Sequence, residues 1–297
     1  MQPLIPFLRE SGAGPSVVCL HASAGSSSQW RALTDALSPS YHVLAVDSYG
    51  SGKTPAWPAK RPLTLRDEVA LLEPVFARAR GSVSLVAHSY GAAVGLHAAL
   101  ERPDRVHAIA LYEPTLFSLV DAESPPPNDV DGFRAAFERT AALVDAGDPG
   151  GAGKCFVDYW SGPGTWDLMP EPRQGQVAVS MANIRDWGHA CLSETAPLRA
   201  FSWLGAPVLL MVGRNSPASS RAVAQLLARA LPRVEVYEFD GIGHMGPVTH
   251  PEAVNRVIVR FLERHRPLQP ADLLRARANP SRPDSRDSNR QQYPDGL

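Results

Sequence analysis

The sequence predicts an α/β fold: a mostly parallel sheet flanked by helices, with an inserted helical segment. Three observations carry that prediction. Six short runs have strand length and are apolar almost throughout, as strands buried on both faces are. Helical patterns separate most of these runs, which is how parallel strands are joined. Between the fourth and fifth runs the alternation stops, and roughly residues 116–201 read as several short helices divided by Pro/Gly loops at 124–127, 148–153 and 161–164.

The elements follow in order. The first run, 17–20, leads into a loop of small residues and a helical pattern over 30–37. The second, 41–46, ends in Asp47-Ser48-Tyr49-Gly50-Ser51-Gly52; a helical pattern over 64–79 follows, with Thr64 as its expected N-cap. The third, 83–86, breaks into Ala87-His88-Ser89-Tyr90-Gly91 and a helix over 91–101. The fourth, 106–112, stops at Glu113-Pro114. Beyond the insertion come a run at 208–212, a helix over 219–231, a run at 234–239 and a closing helix over 251–265. The expected organisation is a core of 1–115 and 202–265, an insertion of 116–201 acting as a lid, and a tail of 266–297 that lacks apolar periodicity and is expected to be disordered. In such sheets the active site lies outside the carboxyl ends of the strands.

Composition narrows the function classes. With 44% hydrophobic and 20% charged residues the chain is that of a soluble globular protein. A net charge of -1 leaves no electrostatic footprint for nucleic acid or an anionic membrane surface, so neither is expected as a partner. No signal peptide is read at the N-terminus, and no apolar stretch approaches the ~20 residues that span a bilayer. Cys19, Cys155 and Cys191 are scattered and odd in number, which fits a reducing cytoplasmic setting with buried thiols.

The chemistry concentrates where strands end. A serine in a sharp strand-to-helix turn has its hydroxyl pushed out at the sheet edge; this nucleophile elbow is usually written G-x-S-x-G, and here Ala87 stands at the first glycine. Taken alone, Ser89 reads equally as a helix N-cap. A serine nucleophile needs a base, and the base needs an orienting carboxylate. His244, on the glycine-flanked loop after the last run, reaches the same sheet edge as Ser89. An oxyanion needs preorganised donors. The backbone N–H of Tyr90 opens a helix beside the nucleophile. The second donor is expected from the small-residue loop His21-Ala22-Ser23-Ala24-Gly25, which read alone is only a flexible connection, with the N–H of Ser23 as the choice.

These pieces, in this order over residues 16–265, resemble the α/β-hydrolase superfamily, specifically its lidded, esterase-like serine members. The matching segments are His21 to Gly25 with Trp30, Asp47 to Gly52, Ala87 to Gly91 and Gly243-His244-Met245. The resemblance implies an acyl-enzyme intermediate resolved by water and no metal or organic cofactor. It also exposes a departure: the family's acid usually follows the fifth run, where this chain has Ser216. A second location used in the superfamily is the end of the preceding strand, and Glu113 stands there. The triad expected is therefore Ser89, Glu113 and His244, with Asp240 as a fallback acid; an ordinary loop-capping carboxylate is the alternative role for Glu113. Asp47 is expected to hold its turn. Ala22, Trp160, Trp187 and Met245 are expected around the substrate; of the insertion's large apolar side chains, Phe156, Tyr159, Trp160, Trp166, Met169, Met181 and Trp187, most are expected to pack the insertion against the core and only one or two to touch substrate.

The expected activity is hydrolysis of an ester or related acyl bond of a small, largely apolar substrate, so a small-molecule substrate is the expected partner. Epoxide hydrolases and haloalkane dehalogenases of the superfamily use a carboxylate nucleophile, which Ser89 is not. A C–C bond hydrolase acting on ring-cleavage products shares the triad. A non-catalytic ligand-binding relative and cofactor-independent oxygen chemistry also occur on this fold, so the fold alone does not choose among them.

Overall fold

The computed structural model describes residues 4–79 and 81–267. The tail expected to be disordered lies, from residue 268 onward, outside the described residues.

Seven strands form one sheet: β1 (Leu8–Ser11), β2 (Ser16–Leu20), β3 (His42–Val46), β4 (Val83–His88), β5 (Val106–Tyr112), β6 (Val208–Gly213) and β7 (Val234–Phe239). Their spatial order is β1-β3-β2-β4-β5-β6-β7, and every pairing is parallel except β1 with β3. All six apolar runs are strands. β1 escapes the apolar pattern because Leu-Arg-Glu-Ser lies half-exposed at the sheet edge, where the polar face meets water.

The helices of the first half are α1 (Arg31–Leu37), α2 (Leu65–Leu71), α3 (Glu73–Arg78) and α4 (Tyr90–Glu101). The single pattern over 64–79 is thus two helices. Pro74 has no N–H to donate and its ring crowds the preceding turn, so the chain re-nucleates at Glu73. Thr64 caps α2 as expected, in a reciprocal capping box with Asp67.

Between β5 and β6 come α5 (Phe117–Glu123), α6 (Asp131–Asp145), α7 (Pro149–Ser161), α8 (Glu171–Ser180) and α9 (Ile184–Leu192). The Pro/Gly stretch at 148–153, read as a loop, opens α7 instead. Asp148 accepts from the N–H of Gly151, and Pro149 fits the first helical position, where no N–H is needed. The chain closes with α10 (Ala218–Ala230), the short α11 (Gly246–Thr249) and α12 (Pro251–Arg264).

The two faces of the sheet carry separate cores. One joins alternate strand residues to α2, α4, α10 and the inserted helices; the other packs α1 and α12 against residues such as Val17, Ala110 and Met211. The sheet centre, β2-β4-β5-β6, therefore presents its carboxyl ends beneath the insertion.

Candidate active site

Ser89 follows β4 with φ 56° and ψ -118°, a left-handed backbone that costs a non-glycine residue ~1–3 kcal/mol. Ala92 and Ala93 donate to its carbonyl, yet its hydroxyl makes no capping bond. Ser89 therefore occupies the N-cap position without capping, and the side chain is released for other use. Tight packing imposes the turn. A Cβ on Gly91 would lie 2.5 Å from the carbonyl oxygen of His21, so only glycine lets α4 start against the end of β2. At the first elbow position strand and helix leave room for the Ala87 methyl: even a Cβ added at Gly95 would lie 3.5 Å from it, an ordinary contact.

The released hydroxyl lies 2.9 Å from Nε2 of His244, and Nδ1 of His244 lies 2.6 Å from Oε2 of Glu113. Ser89, His244 and Glu113 are 2%, 1% and 0% exposed, so the three side chains are shielded from bulk water. Glu113 also has a left-handed backbone, φ 47°, at the end of β5, and its N–H donates to the carbonyl of Met211. Its Oε1 accepts from the N–H of Gly213 at 2.7 Å and from the hydroxyl of Ser216 at 2.5 Å. A buried carboxylate needs such donors, because an unpaired one is strongly disfavoured. Ser216 thus stands where the resemblance places an acid and donates to the carboxylate of Glu113 instead. An aspartate there would set a second negative charge against Glu113. Asp240, the fallback acid, is exposed and pairs with Arg214 at 2.6 Å.

The loop carrying His244 is pinned at consecutive carbonyls. Tyr112 donates its hydroxyl to Gly243 at 2.8 Å, and His88 donates Nε2–H to His244 at 2.8 Å. Nδ1 of His88 accepts from the side-chain amide of Gln29 at 3.2 Å, while Oε1 of Gln29 accepts from the N–H of Ala22 at 3.1 Å. A line of hydrogen bonds therefore runs from the Ala22 loop through Gln29 and His88 to the His244 loop. Burial, with His244 adjacent, holds the imidazole of His88 well below its ordinary range, so it stays neutral and keeps this donor–acceptor sense. His21 is likewise buried and held low; it donates Nδ1–H to the carbonyl of Ala22 and accepts from the N–H of Ser48. Neither Gln29 nor the bridging part of His88 was singled out in the sequence, since their roles depend on contacts 59 and 156 residues apart.

The N–H of Tyr90 opens α4 and so has no intrahelical acceptor. Ser23 precedes Ala24, whose φ of 54° makes it, with Ser89 and Glu113, one of three left-handed non-glycine residues among those described. All three border the same site. Asp47 holds its turn as expected, accepting from the N–H groups of Ser27 and Lys53; a Cβ on Gly52 would strike its carboxylate.

A cavity above Ser89 and His244 is lined by Ala22, Ser23, Trp160 and Met245, together with Phe156 and Arg173. Trp160 stacks on the His244 ring with centroids 4.1 Å apart. Trp187 does not line this cavity: it is 3% exposed and packs beside Phe156 within the inserted helices, whose apolar faces need covering. Among the described residues, no group of three or more His, Cys, Asp or Glu side chains is arranged to hold a metal ion, and no helix is long and apolar enough to cross a membrane.

The sequence profile of the alpha/beta hydrolase family matches residues 17–257. The chain belongs to the alpha/beta hydrolase family. Its relatives include the lipase LipV of Mycobacterium tuberculosis, 29% identical over 262 residues, covering 84% of this chain and 94% of the lipase. A haloalkane dehalogenase of Bradyrhizobium diazoefficiens is 27% identical over 288 residues, covering 86% and 89% of the two chains. Among solved structures, an alpha/beta hydrolase of Sphaerobacter thermophilus aligns with a TM-score of 0.69 at 25% identity, covering 88% of this chain and all of its own. As an alpha/beta hydrolase, the chain carries its candidate acid on β5 and leaves a serine at the end of β6.

Proposed function

We propose that the protein is a serine hydrolase that cleaves an ester or related acyl bond of a small, largely apolar substrate through an acyl-Ser89 intermediate. The observation that carries this reading is the continuous line Ser89 Oγ, His244 Nε2, His244 Nδ1, Glu113 Oε2, with contacts of 2.9 and 2.6 Å. Ser89 Oγ attacks the carbonyl carbon as His244 Nε2 takes its proton. The imidazolium so formed keeps its Nδ1–H on Glu113, whose charge stabilises it. The oxyanion is received by the N–H groups of Ser23 and Tyr90. When the tetrahedral adduct collapses, His244 returns its proton to the leaving group. Water, deprotonated by the same nitrogen, then releases the acid and restores Ser89.

Residues 116–201 act in this reading as a lid that excludes water and shapes the apolar pocket, with Trp160 packed on the base. The serine at 216 gives no support to a non-catalytic ligand binder, because its hydroxyl serves Glu113. The test is turnover of short-chain aryl esters together with fluorophosphonate labelling mapped to Ser89. Absence of both turnover and labelling in folded protein would overturn the proposal.

A further inference from the structure

Among the described residues, Arg173 is the one side chain of permanent charge lining the cavity above Ser89. It sits in the first turn of α8 and is half-buried, and its guanidinium reaches only neutral acceptors: the carbonyl of Ala24 at 3.2 Å and Oε1 of Gln176 at 3.3 Å. Among the described residues it has no carboxylate partner.

Several effects oppose a cation at this position. Partial burial removes water without supplying a counter-charge, and it holds the guanidinium below its ordinary range. The first turn of a helix carries the positive end of the macrodipole, which disfavours a cation there. An arginine has five N–H donors. With two engaged on neutral oxygens, several remain for a planar anion that enters the cavity.

The location says what such an anion belongs to. Arg173 lines the catalytic cavity beside Ser89, and it also lines an outer groove with Ser26, Ser28 and Gln176. It therefore stands where the apolar interior, walled by Phe156, Trp160 and Met169, gives way to a polar rim. A substrate filling both regions has an apolar body near Ser89 and its charge at the rim.

We propose that Arg173 binds a carboxylate carried by the substrate at the end remote from the scissile bond, so that the enzyme acts on amphiphilic monoesters of the half-ester kind. The bond cleaved rests on the serine-hydrolase reading above; the anion site itself does not.

The experiment separates the two. Binding of monoethyl glutarate and of ethyl valerate, which differ chiefly in the terminal carboxylate, is measured by calorimetry on the Ser89→Ala protein. The expected preference for the half-ester is about tenfold or more, the usual worth of a charge-assisted pair. Arg173→Gln in the same background brings the ratio toward one, and Arg173→Lys retains part of it. Equal affinity for the two esters, or a preference that survives Arg173→Gln, overturns the proposal. A purely structural arginine that props the Ala24 carbonyl would weaken both esters alike and leave the ratio standing, which also overturns it. Turnover of the matching 4-nitrophenyl esters by the wild-type chain reads the other premise. Turnover without a carboxylate preference keeps the hydrolase and discards the anion site. A carboxylate preference in binding without any turnover does the reverse.

Discussion

The floor and the roof of the cavity are held by different means. On the floor, Ser89, Glu113 and His244 stand on strand ends; two have left-handed backbones, and every side chain is fixed by buried hydrogen bonds from other elements. The roof, made from the inserted helices α7, α8 and α9, rests on packing and a few polar ties. Trp160 stacks on His244, Tyr159 shares a hydrogen bond with Ser219, Asn183 donates to the Gly50 carbonyl and Asp186 accepts from the N–H of Leu63. The floor is set by geometry that tolerates little change. The roof is set by area and a few contacts, so pocket shape can vary there without disturbing the floor.

The largest effects should come from breaking the floor. In the proposed mechanism Glu113→Gln keeps the shape but offers the wrong partner to His244 Nδ1, and kcat on an aryl ester should fall by about 10³–10⁴. Glu113→Gln with Ser216→Asp returns a carboxylate to the end of β6, and steady-state kinetics should show a recovery of about tenfold or more over the single variant. A double variant as inactive as the single one would mean that the β6 turn no longer reaches the imidazole. Next in size is the bridge between the two loops. Gln29→Ala leaves His88 Nδ1 and the Ala22 N–H unpaired in a largely buried place, a loss of ~1–3 kcal/mol for such groups. Read through the transition state, that is about a tenfold or greater fall in kcat with little change in KM. A change confined to KM would show that the bridge does not position the catalytic groups.

Removing a roof contact should move a different observable. Trp160 is 7% exposed, so Trp160→Ala should lower stability by about 3–5 kcal/mol, seen as a lower denaturant midpoint. KM should rise more than kcat falls, because the lost stack borders the substrate while the hydrogen bonds of His244 remain. A kcat loss as large as that of Glu113→Gln would make Trp160 part of the floor.

The same contrast explains what the sequence revealed. The strand runs, the glycine at 91 and the loop at 244 belong to the floor, where backbone geometry dictates residue type, so Ser89 and His244 could be singled out as candidates once their turns were read together, and Glu113 only through the resemblance. The helical character of 116–201 was legible from its composition, but its pocket was not. Trp160 and Trp187 look alike in sequence, and only packing sends one to the cavity and the other into the helices. Ser216 was visible as a missing acid; its use as a donor to Glu113 depends on a neighbouring strand. The strand β1 and the break at Pro74 are local features whose cues, an edge position and a missing N–H, are weaker than apolar period.

The smallest effect concerns the joint between floor and roof. Glu68 of α2 is 2% exposed and accepts from the Tyr90 hydroxyl at 3.1 Å and the Tyr49 N–H at 3.4 Å, with Asp186 of α9 nearby. Burial raises its carboxyl from an ordinary 4.5 to about 8, against the lowering effect of those two donors. The folded protein therefore keeps a proton that the unfolded chain has released between pH ~4.5 and ~8. Stability contributed by this group is complete below the unfolded value and declines as pH rises toward the folded one. Glu68→Gln removes the titration. The variant should lose to the wild type at pH 5, where a neutral acid already satisfies both donors, and gain on it by a few degrees in Tm as pH approaches 8. Parallel melting curves across pH 5–8 would place the proton elsewhere. Convergence would show that the joint beneath Tyr90 keeps its proton in the folded protein across this range.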